Sequence, residues 1–343
     1  MGDRKIITVL EPEDEYTHQP DEASNYNESM YLNAFDLDQE IGGWFRLGNR
    51  VNEGYAEMTV CIYLPGGRVG FVYARPEIDN NDKMEAGGLS IEVVKPFEHL
   101  KVRYSGKVCV LDEPGDMADP RTAFKNNPWE ECEVDLDFRG TSPMYGGKPV
   151  YEDDGSEIEI EAEKSFAKAH YEQHCAVTGT IRVGDPMDGG TAIEMDGLGL
   201  RDKSWGPRFW QAISWYRWLP LVFSDEFAMM ISIVGGKPGG MVLKGNEYHL
   251  IRNCTIESDW DDDHYQTGMR CTVETDHDTY EVTGEVLSLI PLRNRRKDAD
   301  GNELLTRITE AMTKFECRGQ TGIGMSEYLD QIEDGRPIGA DVV

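Results

Sequence analysis

His170, Glu172 and His174 stand at every second position of "HYEQH". On a strand, this spacing puts all three on one face and Tyr171, Gln173 and Cys175 on the other. One face would then carry a carboxyl and two imidazoles that change charge near neutral pH, a set suited to moving protons. Two same-face histidines with Glu172 can also chelate zinc. The other five histidines (18, 99, 249, 264 and 277) form no matching cluster. The expectation is therefore no metal, with the strand lining a barrel so that His170, or Tyr171 and Gln173, reach a ligand. A solvated edge strand is the plain alternative.

The second constellation is "GLGLRDKSWGPRFW", residues 197–210. It surrounds one carboxylate, Asp202, with Arg201, Lys203, Arg208 and the indoles of Trp205 and Trp210, in a stretch whose Gly and Pro content reads as a turn. A carboxyl in an apolar pocket has its pKa raised and can deliver a proton. Indole faces attract cations, so Trp205, Trp210 and Trp215 suit a developing carbocation. On that reading Asp202 is the acid, and Arg208 and Tyr216 are further substrate contacts. On the competing reading Asp202 is held ionised by Arg201 or Arg208, and the stretch is a buried ion-pair brace between two domains.

A third set lies on "YAEMTVCIY". Tyr55, Glu57 and Tyr63 alternate with Ala56, Met58, Val60, Ile62 and Leu64. With Glu28 and Tyr31 they would give a polar lumen that hydrogen-bonds an oxygenated ligand, or else the wet face of a sheet. Tyr248, His249, Glu327 and Tyr328 are weaker candidates. "WDDDH" (260–264) lacks the spaced ligands of a calcium loop and reads as a solvated turn.

The elements that must position these residues are strands. Period-two segments rich in Val, Ile, Thr and Tyr recur along the chain, separated by Gly, Asp, Asn or Pro. In "LSIEVVKPFEHLKVRYSGKVCVLD", Leu100, Val102 and Tyr104 oppose Lys101 and Arg103. Only "DPRTAFKNNPWEE" suggests a short helix, "SEIEIEAEKSFAKAHYE" fits either element, and "YEDDGSEIEIEAE" reads as a solvated loop. The expected fold is all-β, two tandem antiparallel barrels or sandwiches, with a division near Arg208 into units 1–208 and 209–343.

The net charge of −30 (34 Lys and Arg against 64 Asp and Glu) argues against nucleic acid as a partner. No apolar run is long enough to span a membrane. The seven scattered cysteines read as reduced thiols and the N-terminus shows no signal peptide, so the expectation is a cytoplasmic protein, with a homodimer open. No nucleotide loop, nucleophile elbow or zincin motif occurs, and no cofactor is expected.

"HYEQHCAVTGTIRV" followed by "GLGLRDKSWGPR" resembles a family of two-domain lipocalin-like proteins that includes carotenoid 1,2-hydratases. "NESMYLNAFD", "GNRVNEGYAE" and "GIGMSEYLDQ" resemble its uncharacterised bacterial branch. The resemblance implies two calycin-like β-barrels around a hydrophobic-ligand site. It also implies cofactor-independent lyase or isomerase chemistry on a small, terpenoid-like molecule. A non-catalytic carrier and a cyclisation catalyst are the alternatives. The family motif has His where this chain has Lys203, and an unperturbed Lys cannot relay protons near neutral pH. That departure bears on any mechanism using the imidazole.

Overall fold

The computed structural model describes residues 4–158, 166–185, 187, 189–209, 213–297 and 303–340. Its first part comprises β1 (Ile6–Val9), β2 (Tyr26–Asp36), β3 (Ile41–Arg50), β4 (Tyr55–Tyr63), β5 (Val69–Ala74), β6 (Glu85–Ala86), β7 (Leu89–Lys95), β8 (His99–Leu111), α1 (Pro120–Asn126), β9 (Trp129–Gly140), β10 (Tyr145–Tyr151), β11 (Ala169–Val183) and β12 (Thr191–Pro207). The second comprises β13 (Trp215–Ser224), β14 (Phe227–Val234), β15 (Lys237–Lys244), β16 (Glu247–Trp260), β17 (Gln266–Thr275), β18 (Thr279–Lys297), β19 (Glu303–Cys317), β20 (Gln320–Glu333) and the short β21 (Arg336–Pro337).

Two closed barrels result. In the first, β9 pairs with both β8 and β11, closing the ring through β12, β2, β3, β4 and β5. In the second, β13 to β20 run as a plain meander closed by β13 against β20. Closure leaves each ring without an unpaired edge. The expected short helix forms at Pro120–Asn126, and 261–264 is an exposed turn.

Strand alternation sends one side-chain set into each lumen and the other outward. Ala56, Met58, Val60, Ile62 and Leu64 fill the first lumen together with Leu100, Val102 and Tyr104. The second lumen is packed by Leu219, Met229, Ile231, Val273 and Phe315. A third apolar layer lies between the barrels, where Phe35, Trp44, Tyr63 and Phe71 meet Ile290, Met312, Ile323 and Met325.

Two sequence expectations change here. The Gly- and Pro-rich stretch at 197–207 is not a turn: it is the second half of the long strand β12. Its glycines serve close packing, since a Cβ on Gly199 would stand 1.9 Å from the Asn33 carbonyl oxygen. Gly206 is needed for its backbone, with φ at +108°. The face carrying Tyr55, Glu57 and Tyr63 is not a lumen lining either. Tyr63 reaches across to donate to the Glu310 main-chain oxygen, and Glu57 is paired with Arg46 at 3.0 Å.

Candidate active site

Strands β11 and β12 pair with Glu172 opposite Asp202 and His170 opposite Ser204. This register divides the charged residues of both motifs between two faces. The lumen face takes Tyr171, Gln173, Arg201, Lys203 and Trp205. Arg201 lies 2.7 Å from Glu15, and the Tyr171 hydroxyl donates to Glu15. Lys203 meets Glu28 at 2.9 Å and donates to the Asp14 and Tyr16 carbonyls. Trp205 stacks on His18 with centroids 4.0 Å apart, and Gln173 donates to the Phe97 and Ser142 carbonyls.

The other face, with His170, Glu172, His174, Leu200 and Asp202, looks at the second barrel. Leu200 packs on Met230 and Met241, and the His174 ring lies 3.3 Å from the Met229 carbonyl oxygen. Burial lowers the His174 pKa to about 4, so that ring is neutral. His170 Nε2 stands 2.5 Å from Asp202 Oδ2 and 3.8 Å from Glu172 Oε1. Burial pulls the imidazole pKa down, but the Asp202 charge and hydrogen bond outweigh it and bring His170 up to about 9. His170 is therefore the hydrogen-bond donor of the pair. Its side chain is 42 % exposed and that of Asp202 20 %, so this end of the site meets solvent.

Glu172 lies deeper. Its Oε1 accepts the Trp218 indole N–H at 2.9 Å, and its fully buried Oε2 has no hydrogen-bond partner in the protein. Burial raises its pKa to about 7, opposed by His170 and reinforced by the Asp202 charge. A buried carboxyl that carries a proton near neutrality and has one oxygen unused is a general acid in waiting.

The second barrel completes the surroundings. The Tyr216 hydroxyl donates to Glu327. Tyr31 stacks on Trp44 and meets Trp218 edge-on, at 5.6 and 5.5 Å between centroids, while its hydroxyl and the Trp44 N–H find no protein acceptor. Arg208 donates to Ser204 Oγ at 2.5 Å. Burial and the Arg46 charge lower its pKa to about 10, against the pull of Asp202.

Of the candidates read from the sequence, the fold gathers His170, Glu172, Asp202, Tyr31, Arg208 and Tyr216 between the barrels. Trp205, Tyr171 and Gln173 lie on the lumen face of the first barrel instead, since odd and even positions of a strand point to opposite sides of the sheet. Tyr55 lies at the margin under Arg75, and Trp210 falls outside the described residues. Lys203, at the position where the family has His, faces Glu28 and not the site, so that departure leaves the site's chemistry untouched. Trp44, Arg46, Trp218 and Glu310 escaped sequence reading. Alternation from Tyr216 would have found Trp218, but nothing in the sequence links Glu310 to Glu172.

His170, Glu172 and Asp202 have donor atoms within 4.8 Å of one another and are the metal-type cluster found among the described residues. As placed, His170 and Asp202 form an ion pair beside Glu172. A cavity of about 370 Å³ lies in the first barrel beside Glu15, Met30, Met84 and Ile91. Another, of about 150 Å³, lies beside Phe35, Val222 and Ile323. Neither borders Asp202.

The chain belongs to the family described as a domain of unknown function, DUF7064, whose model matches residues 11–332 and so spans both barrels. A search of the curated proteins gives no match. Among solved structures it is similar to an AttH-designated protein from Nitrosomonas europaea, with TM-score 0.60 and 11% identity over 94% of this chain and 96% of the other. It is also similar to kievitone hydratase from Nectria haematococca, with TM-score 0.54 and 8% identity over 95% and 93%. A third is CghA, solved with Sch210972, with TM-score 0.51 and 10% identity over 90% and 89%. At these identities the likeness establishes the fold, an all-β pair of barrels. Among the described residues no helix is long and apolar enough to cross a membrane.

Proposed function

We propose that the protein is a cofactor-independent hydro-lyase or isomerase acting on a small hydrophobic molecule between its two barrels. The observation that carries this is Glu172: wholly buried, protonated near neutrality, one oxygen unused, and set beside the His170–Asp202 ion pair. In the hydration direction, the Glu172 proton passes to one alkene carbon as the π electrons form the new C–H bond. The adjacent carbon becomes cationic beside the indole of Trp218, whose N–H donates to Glu172. A water oxygen then forms the C–O bond, and its proton returns to the Glu172 carboxylate. Dehydration is the reverse. Loss of a different proton from the cation shifts the double bond.

Asp202, expected from sequence to be the acid, takes a different part. As acceptor of the His170 N–H it holds the imidazolium in place, and the water is positioned from that side. Arg208 and Tyr216 contact the substrate. The shared fold supports the reading, since one similar structure is named a hydratase and another holds a bound organic molecule.

The test is a panel of terpenoid-like alkenes and tertiary alcohols incubated in deuterated water and read by mass spectrometry. Deuterium should enter an alkene carbon, and Glu172→Gln should slow this about 10²–10⁴-fold while the melting temperature holds. Full turnover by that variant removes Glu172 from the mechanism. Panel members that bind and are recovered unchanged make the protein a container.

A further inference from the structure

Glu310 on β19 and Glu327 on β20 are direct cross-strand partners. Two like charges so placed repel even on an open sheet. Here both residues are buried, 5 % and 8 % exposed, and each carboxyl lies within electrostatic range of the other. Two carboxyls sharing one site do not both ionise, and they titrate as a pair. The groups facing them come from both barrels. Tyr216 on β13 donates to Glu327, and Asp202 on β12 adds negative charge there. Arg46 on β3 opposes both, while Tyr31 on β2 faces both carboxyls, with Glu310 the nearer charge. Cys61 and Tyr63 on β4 also feel the Glu310 charge. Glu310 Oε2 and the Tyr31 hydroxyl have no hydrogen-bond partner in the protein.

We infer that Glu310 and Glu327 share one proton and form a second acid of the site, carried by the second barrel, in which substrate binding turns the shared proton on Glu310 away from Glu327 to an oxygen of a neutral substrate and leaves Glu327 ionised, accepting from the Tyr216 hydroxyl. Burial and mutual charge raise Glu310 well above the usual carboxyl range. Burial and the nearby Asp202 raise Glu327 to about 7, against the Tyr216 hydrogen bond. The ligand is of the hydroxyl- or carbonyl-bearing class, because a carboxylate or phosphate would bring one more negative charge to Glu310, Glu327 and Asp202. The substrate half of this inference rests on the hydro-lyase reading; the shared proton does not.

Infrared difference spectra of the full chain near pH 7 test the shared proton. In a Glu172→Gln background, which removes the other proton-carrying carboxyl, a protonated-carboxyl C=O band should remain, and adding Glu310→Gln or Glu327→Gln should abolish it, because the remaining carboxyl ionises against Arg46. No such band in the Glu172→Gln background, or its survival in either double variant, overturns the pair. If glutamine at these positions unfolds the chain, Tyr216→Phe replaces them: the band should shift in frequency, and an unmoved band overturns the assignment. On any panel molecule that turns over, Glu310→Met, which removes the donor, should raise KM up to about tenfold, the worth of one neutral hydrogen bond. Unchanged KM and kcat refute the substrate half. The infrared result stands whether or not any alkene reacts, so the two readings fail separately.

Discussion

The two faces of the β11–β12 hairpin bury similar residue types to opposite effect. On the lumen face each charge meets its opposite: Glu15 with Arg201, and Glu28 with Lys203 and His18. Facing the second barrel, carboxyls outnumber cations, and the carboxyls of Glu172 and Glu310 keep unpartnered oxygens, whereas the unpartnered lumen-face atoms include Gln173 Oε1 and Arg201 Nε. A compensated buried cluster braces a fold; one left incomplete has capacity to spare for a ligand. The same strands thus carry a charge-matched cluster and an acid-rich one, separated by the thickness of a sheet.

The largest effect expected comes from breaking the compensated side. Lys203→Ala leaves Glu28 buried without its cation, and should cost about 3–5 kcal/mol of stability, measured by urea unfolding. A cost near zero would mean that water or His18 replaces the lysine, and the contrast between the faces would fail.

The pH dependence of stability sharpens the contrast, because the two faces should fail in opposite directions. Glu28 is lowered to about 2, since His18 and Lys203 outweigh its burial. Its contribution is complete above the unfolded value near 4.5 and is lost as pH falls toward 2. Glu172 is raised to about 7, so its proton stabilises the fold below pH 4.5 and that contribution fades between 4.5 and 7. His170, raised to about 9, contributes fully below 6.5 and loses its share as pH rises to 9. Melting curves should therefore show Glu28→Gln flattening the acid limb and Glu172→Gln the limb from 4.5 to 7. Asp202→Asn should flatten the alkaline limb and drop the His170 titration, followed by NMR, below its present value. A common limb for all three variants would refute the division.

The smallest effect expected is at Trp218→Phe, which removes the hydrogen bond to Glu172 Oε1. Stability should fall by about 1 kcal/mol, and the Glu172 titration should move further up, because that bond lowers it. A downward move would mean the indole excludes water and does not hold the carboxyl.

Much of this was legible in the sequence. The alternation of Ala56, Met58 and Val60 with Glu57 and Thr59 fixes strands and faces, and "HYEQH" puts His170 and Glu172 together with no fold needed. Reading 197–210 as a turn failed because glycine serves close strand approach as well as turns, and composition cannot separate the two uses. The part of Asp202 was less legible for a related reason: what a carboxyl does depends on which neighbours lie across the sheet, and the nearest cations in sequence, Arg201 and Lys203, point away toward Glu15 and Glu28.

Composition and period-two patterning alone determined that the chain is all-β and antiparallel and which residues of each strand share a face, because side-chain alternation is local. Barrel closure and the docking of one barrel on the other decided the rest. They made the His170–Asp202 pair, placed Trp218 on Glu172 and brought the Glu310–Glu327 pair within range of the Asp202 charge. Those contacts cross from strand to strand and from barrel to barrel, and burial there sets protonation, which no local pattern encodes.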